Sequence, residues 1–389
     1  MSNRRSASEP VQTIAQLRSI RILPELRAVQ VERAVHMTPA RTIFLGEKYD
    51  LGKTVLPSSM VRLTLPGTVL DLFLANEAVL ELPEPLWLRF LPKAILFSVA
   101  WRAGGLLRNR RRQTVTYAIE NNDLDSIFFG RRKPKLLVSK MLRVVLRAFV
   151  SSTFDRIAFG SAGARESYES LGLGPNVVTR AWDELPAASV APTKSGNAES
   201  AIFVGRLEAR KGVEHLISAW SDVERDLPGA RLTIIGGGEL DSVVEAWCQA
   251  RPSSRAWVGE VEHEGIAALI KENDVLVAPS IRWGRWREQI GLPIGEGLQD
   301  GLTVVTSDET GLAEWLRDNG HYVIPAERLS SELAKILVGA LAHPLPSDVV
   351  KNSLPTLPGR IAADHWLHNP LDAAPTASPT ATNSESAGR

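Results

Sequence analysis

Apolar residues along this chain change period many times. Short runs of β-like composition, TIFLG from Thr42, MVRLTL from Met60 and LDLFLANEAVLEL from Leu70, are punctuated by glycine and proline and separated by longer stretches of helical spacing. Upstream, Ile14, Leu17 and Ile20 recur at helical spacing before Pro24, which predicts a short helix in an amino-terminal arm over residues 1–35. KMLRVVLRAFVSSTF, from Lys140, sets Leu142, Val145, Leu146 and Phe149 on one helical face and Arg143 and Arg147 toward another. DRIAFGSAGARESYESLGL then reads as a strand over 157–159 and a helix from about Ser161 to Gly172 or Gly174. Beyond residue 200 the alternation is regular: strands AIFVG, RLTIIGGG, 256–258, VLVAP and LTVVTS, with helices over 211–226, 240–250, 265–272 and 293–299 between them. Strands separated by helices of this length predict a parallel sheet covered on both faces, joined by right-handed crossovers.

The stretch AASVAPTKSGNAES, residues 187–200, has linker composition. The expected division is therefore an amino-terminal α/β domain over 36–190, a second, doubly wound domain over 196–345, and a segment over 346–371 that packs back on the first domain. A disordered tail rich in Ala, Pro, Thr and Ser follows over 372–389. The chain has 389 residues, 44% of them apolar, enough for two buried cores.

Net charge is +1, so the molecule as a whole exerts little field on a polyanion. Charge is nonetheless segregated. Residues 89–147 carry fourteen Lys or Arg against three acids, with RNRRR at 108–112 and RRKPK at 131–135. That region reads either as a solvated face or as the side that meets an anionic acceptor or membrane surface. Neither cluster has interleaved stacking aromatics, which argues against nucleic acid. The single cysteine, Cys248, excludes an intramolecular disulfide and gives no zinc-site spacing, so no metal is expected. The opening MSNRRSASEP lacks the apolar core of a secretory signal, and the apolar run over 94–100 ends at Trp101-Arg102, too short to span a bilayer. The expected place is the cytoplasm, with at most peripheral membrane contact.

In an open parallel sheet, ligands settle beyond the carboxyl ends of the strands. Gly205, Gly236, Gly237 and Val258 stand at such ends. Arg206 follows AIFVG directly, and Lys211 lies five positions on, where a helix begins. Two cations beside a helix amino terminus suit a diphosphate, although surface charge alone also accounts for them. Three glycines at 236–238 let backbone approach a ligand, or simply make a tight turn. In WREQIGLPIGEGL, Glu288 and Glu296 are eight positions apart; a loop followed by a helix from about Pro293 places Glu296 in its first turn and lets both face one cleft. As acceptor-only groups they suit sugar and ribose hydroxyls, while the plainer reading has Glu296 complementing the helix dipole.

FVGRLEARKG, LTIIGGGEL, VLVAPS and EQIGLPIGEGLQDGLTVVTSDETGLAEWL, in this order, resemble the carboxyl-terminal half of the large retaining glycosyltransferase family of GT-B fold, in which two Rossmann-like domains face a central cleft. The resemblance spans residues 201–324 and includes the E-x7-E element. It implies that Arg206 and Lys211 hold the donor diphosphate, that Glu296 holds the ribose, and that Glu288 lies by the donor sugar. It also implies that Gln289, Ile290, Gly291 and Leu292 lend backbone amides to sugar and phosphate. The family's amino-domain histidine has no counterpart: the strand TVTYAI is followed by Glu120, Asn121 and Asn122, so Glu120 or Asn121 takes its position.

The resemblance further implies a nucleotide-diphosphate sugar as donor, retention at the anomeric carbon, no obligatory cofactor, and a glycan, lipid-linked or small-molecule acceptor. A sugar-nucleotide epimerase of the same fold and a non-catalytic binding protein are the alternatives.

Overall fold

The computed structural model describes residues 17–48, 51–52, 55–130, 136–189 and 199–369. RRKPK, most of the expected linker, the first sixteen residues of the expected arm and the carboxyl-terminal tail lie outside the described residues.

The amino-terminal half builds β1 (Ser19–Leu23), β2 (Arg41–Phe44), β3 (Met60–Arg62), β4 (Val79–Glu81), β5 (Gln113–Ala118), β6 (Arg156–Phe159) and β7 (Val178–Ala181). They form one sheet in the order β3-β2-β1-β4-β5-β6-β7, and all pairs are parallel. Its helices are α1 (Ala28–Ala34), α2 (Leu65–Leu74), α3 (Leu91–Leu107), α4 (Leu124–Phe129), α5 (Leu136–Thr153) and α6 (Ala162–Glu169).

The second sheet comprises β8 (Ser200–Val204), β9 (Arg231–Ile235), β10 (Arg255–Gly259), β11 (Val275–Ala278), β12 (Thr303–Ser307) and β13 (Tyr322–Ile324), again all parallel, in the order β10-β9-β8-β11-β12-β13. Helices α7 (Val213–Asp226), α8 (Asp241–Gln249), α9 (His263–Ile270), α10 (Leu292–Gln299), α11 (Ala313–Asp318) and α12 (Leu329–Ala342) cover it, followed by α13 (Ser347–Ser353) and α14 (Gly359–His368). Strand order reverses between β1 and β4 in one sheet and between β8 and β11 in the other, and crevices open at such points.

Three expectations are corrected. Residues 17–34 are not an arm: β1 lies inside its sheet between β2 and β4, with Ile20 and Ile22 fully buried, and α1 follows. Arg21 disguises this strand, because a charge interrupts the apolar run yet is buried in ion pairs with Glu81 (2.8 Å) and Asp364 (2.5 Å). The run from Leu70 is not one strand. Thr64 Oγ1 accepts the Gly67 N–H at 3.3 Å and Pro66 sits in the first turn, so a helix starts there and only Val79–Glu81 remains extended. On α5, Leu146 and Val150 are buried and Leu142 and Phe149 pack beside them, but Val145 is 59% exposed because it belongs to the next row around the helix. The edge strands β7 and β13 had no distinct sequence signal; every residue of β7 is exposed.

Helix α14 lies against β5 and β6 of the first domain, its Ala363 and Leu367 packing on Val79, Val115 and Ala158. Polar groups on its other flank complete a buried network: Asp364 also accepts the Thr38 N–H at 2.6 Å, while Arg360 and His368 reach Glu81. Burial opposes ionisation of Glu81, yet Arg360 and Arg21 outweigh it and hold this carboxyl well below the usual range.

Candidate functional site

The carboxyl end of β8 turns sharply through Gly205, Arg206 and Leu207 into a single helical turn, Ala209–Lys211, and then α7. Leu207 stitches this loop to the next one, its N–H donating to Gly237 O at 3.1 Å and its carbonyl accepting the Leu240 N–H at 3.0 Å. Gly236 has φ 126° and lies so close to Gly205 O that a Cβ there would clash with it. Gly212, which opens α7, has φ 73°, and a Cβ on it would strike Pro279 O. Backbone proximity therefore requires glycine at both positions. The second contact brings the loops after β8 and β11 together at the point where the sheet diverges.

Lys211 ends that turn with its ammonium against the Glu288 carboxylate, which also accepts the Ser280 hydroxyl at 3.1 Å. Both side chains are largely buried, at 19% and 15% exposure. Trp286 supports them: the Lys211 ammonium lies 5.1 Å and the Arg210 guanidinium 4.3 Å from its ring centre. Arg206 behaves differently. It is 58% exposed and leans on Glu208 and Glu260, each at 3.3 Å. Exposed pairs of this kind are worth about 1 kcal/mol or less, so Arg206 is available to a better anionic partner.

Loop 281–291 crosses from the second domain to the first. Trp283 and Trp286 exchange backbone hydrogen bonds across a tight turn at Gly284 and Arg285. Arg285 donates to Phe128 O at 3.3 Å, Arg282 to Asn122 Oδ1 at 3.1 Å, and Arg287 to Asn121 O at 2.6 Å. In return Asn121 Nδ2 donates to Glu288 O at 3.1 Å, and Gln289 Nε2 donates to Glu120 Oε2 at 3.3 Å. Gln289 O accepts the Gly311 N–H at 3.1 Å and Ile290 O accepts the Thr310 hydroxyl at 3.0 Å. The peptide planes of 288–290 are thus fixed from both domains.

Between the sheets is a cavity of about 620 Å³ whose walls come from the ends of β1, β4 and β5 and from this loop. Glu84, Glu120, Trp87, Glu288 and Gln289 all face it. One oxygen of Glu84 accepts the N–H groups of Ile119 (2.8 Å) and Glu120 (2.9 Å), which sets the turn carrying Glu120 and Asn121. Burial pushes its carboxyl up to about 8, against the opposing effect of the Ile119 amide and with help from the charge of Glu120.

Of the residues singled out in sequence, Lys211 and Glu288 meet directly, and Gly205, Gly236 and Gly237 line the adjoining loops with Val258, 45% exposed, on β10. Glu120 faces the cavity with Glu288. Asn121 is 3% exposed and holds the carbonyls of Glu288 and Glu309, so it joins the domains rather than facing open space. Helix α10 begins at Leu292, one residue early, so Glu296 starts the second turn, not the first. It does not share the cavity of Glu288; with Ile290 and Leu292 it lines a second one of about 280 Å³, beside Glu184 and Arg360. Sequence reasoning missed Glu84, Trp87 and the arginines at 282, 285 and 287. The arginine spacing in RWGRWRE adjoins the E-x7-E element and was a usable signal; Glu84 had none beyond its place after β4.

Among the described residues, Glu81, Asp364 and His368 bring ligand atoms within 4.8 Å of one another. Arg21 and Arg360 already occupy those carboxylates, so the donor set is charge-balanced without a cation and does not fit a metal centre.

A glycogen synthase of Mycobacterium tuberculosis is 34% identical over 216 residues, 53% of this chain and 50% of that protein. An uncharacterised glycosyltransferase of Methanocaldococcus jannaschii is 33% identical over 129 residues, covering 32% and 31% of the two chains. The chain spans about half the length of the glycogen synthase, and less of the other. Among solved structures, Anabaena HepE in complex with UDP superposes over 90% of this chain and 95% of its own, with a TM-score of 0.61 at 12% identity. The lipopolysaccharide outer core galactosyltransferase WaaB covers 90% and 98%, with a TM-score of 0.57 at 12% identity. Residues 187–352 match the family model for glycosyl transferases group 1, and they do so within a chain whose two facing parallel-sheet domains have the GT-B fold.

Proposed function

We propose that this protein is a retaining glycosyltransferase that moves a sugar from a nucleotide-diphosphate donor to a glycan, lipid-linked or small-molecule acceptor. One observation carries the reading: the Lys211 ammonium and the Glu288 carboxylate meet where β8 and β11 diverge, and Glu288 also faces the cavity between the domains. A diphosphate seated by Lys211, Arg206 and the start of α7 places its sugar toward Glu288, whose oxygens accept hydroxyl protons. The resemblance implies that Glu296 holds the ribose; because Glu296 opens on the second cavity and not on that of Glu288, the nucleoside end of the donor has to reach it past the backbone of 289–292. The match to the glycosyl transferases group 1 model over residues 187–352 supports this assignment. HepE has been crystallised with UDP-glucose, which makes uridine diphosphate sugars the first donors to try.

In the reaction the bond from the anomeric carbon to the diphosphate oxygen breaks, and a bond to the acceptor oxygen forms on the same face. The acceptor proton passes to the departing diphosphate. Lys211 and Arg206 stabilise the charge that grows on that leaving group, an electrostatic contribution of about 3 kcal/mol for one well-placed donor. The interdomain bonds of loop 281–291 hold the cavity together and exclude water that would otherwise hydrolyse the donor. The basic region over 89–147 supports an anionic surface as the acceptor's setting, with the protein peripheral at the cytoplasmic face of a membrane.

A thermal-shift screen against nucleotide-diphosphate sugars tests the assignment. A true donor at 100 times its dissociation constant adds about 2.7 kcal/mol of stability, and Lys211→Ala removes most of that gain. Product analysis with donor alone separates transfer from epimerisation. No stabilisation by any such sugar or by its free diphosphate, in wild type and variant alike, would overturn the proposal.

A further inference from the structure

The outward side of the first domain's helical layer is apolar. More than half of the large apolar side chains exposed among the described residues lie on α2, α3 and α5. Leu70 is 59% exposed, Val99 60%, Leu106 82%, Leu107 76%, Leu137 77% and Met141 67%. Helices α2 and α3 pack along each other, and α5 meets α3 at the carboxyl-terminal end of α5. Between α2 and α3 is an open apolar groove of about 480 Å³, walled by Leu70, Phe73, Leu96 and Val99. Arg102 of α3 donates to Thr153 O of α5 at 2.9 Å, which joins the third helix to the second. Monomeric surfaces rarely leave contiguous apolar area on this scale without a partner.

Charge identifies the partner. Lys93, Arg110, Arg111, Lys140 and Arg147 are exposed on or beside the same helices. The acids nearby are engaged: Asp71 and Glu77 with Arg41, and Asp125 with Arg143. Not every cation of the basic stretch is free for a ligand. Arg112 is spent on the carbonyls of Leu72, Ala75 and Trp101, and Arg108 on Phe73 O. Fewer charges and more apolar surface than the sequence suggested point to insertion rather than to charge attraction alone. A second copy of the chain would set the cations of one face against those of the other, whereas the cores of protein interfaces are depleted of lysine.

We propose that α2, α3 and α5 form a bilayer-docking face whose apolar side chains enter below the headgroups of an anionic membrane while the surrounding lysines and arginines hold the headgroups. This rests on the reading that the basic region meets an anionic surface and turns a salt-sensitive contact into an inserted one. It is independent of sugar transfer.

Co-flotation of the full chain with phosphatidylglycerol-containing vesicles, at low and high salt, tests it, with pure phosphatidylcholine vesicles as control. Wild type should bind the anionic vesicles, lose part of that binding in high salt and retain the rest. L106S/L107S should lower partitioning about tenfold or more per leucine in both salts, and Met141→Ser should act in the same direction. The exposed sites predict unchanged melting temperatures, and nucleotide-sugar thermal shifts should match wild type, so a failed docking face and a failed transferase assignment give different results. Flotation of L106S/L107S equal to wild type, or wild-type binding abolished entirely by salt, would overturn insertion. So would sedimentation velocity showing a wild-type dimer that the double variant breaks.

Discussion

Arg287→Ala tests whether loop 281–291 couples the two domains. The guanidinium donates to Glu309 Oε2 at 2.6 Å, to Asn121 O at 2.6 Å and to Asp308 O at 3.0 Å. Two of these bonds stay inside the second domain and fix the loop; only the bond to Asn121 crosses the gap. Hydrogen bonds to charged groups contribute about 1.5–3 kcal/mol each, with the lower end apt here because Arg287 is 25% exposed. Losing the crossing bond should therefore lower the closed population by roughly tenfold, with a similar fall in kcat/KM for transfer. The Glu309 carboxylate, left 14% exposed and without its cation, should cost the second domain about 2 kcal/mol more. R287A/E309A should recover that stability and not the activity, because the bond to Asn121 remains absent. Steady-state kinetics and urea unfolding read the two effects, and small-angle scattering reads compaction. Unchanged kcat/KM and compaction in Arg287→Ala would show that the crossing bond does not govern closure.

Other perturbations read other parts of the molecule. Lys211→Ala should reduce transfer on the order of a hundredfold in a radiolabelled-donor assay, with a small stability change, since Ser280 still donates to Glu288; near-normal turnover would remove Lys211 from the diphosphate site. Glu84 is held near 8 against an ordinary 4.5, so the folded state keeps a proton that the unfolded chain releases, and stability falls as pH rises from 4.5 to 8. Glu84→Gln should flatten that window, gaining on the order of 4 kcal/mol relative to wild type at pH 8 by urea unfolding; parallel pH curves would refute the shift. His321 has the opposite sign. Burial lowers it to about 4 and Nδ1 accepts the Val304 N–H at 3.1 Å, so the ring is neutral when folded. Stability should fall by about 3 kcal/mol as pH drops from 6.5 to 4, and His321→Asn should abolish that loss; persistence of the slope in the variant would place its origin elsewhere.

The second domain was the more legible because its strands are apolar, its helices regular and its loop glycines adjacent in sequence to the cations they support. Gly212 and Lys211 are neighbours in the chain and in the site. The first domain conceals its structure where charge is buried: Arg21 in β1 reads as a surface residue until Glu81 and Asp364 are placed beside it, and these come from positions 60 and 343 residues away. Capping decides the rest, since Thr64 and Pro66 outweigh the β-like composition that follows them.

The same reasoning separates what sequence can say about the site. Periodicity reports which face of an element is buried, a local property, so it locates the ends of strands where ligands settle. It carries no information on pairs such as Asn121 with Glu288, 167 residues apart, because neither residue's neighbours change period to accommodate the other. Glu120 and Asn121 illustrate the limit. Adjacent in the chain and equivalent by pattern, they part only when Glu84 fixes their turn: one faces the cavity with Gln289, the other is turned away to bind the carbonyls of Glu288 and Glu309. If Glu120 acts on the sugar and Asn121 on the joint between domains, Glu120→Gln should lower kcat with compaction retained. Asn121→Ala should loosen the closed form and raise KM as well, and identical kinetic signatures from the two variants would undo the distinction.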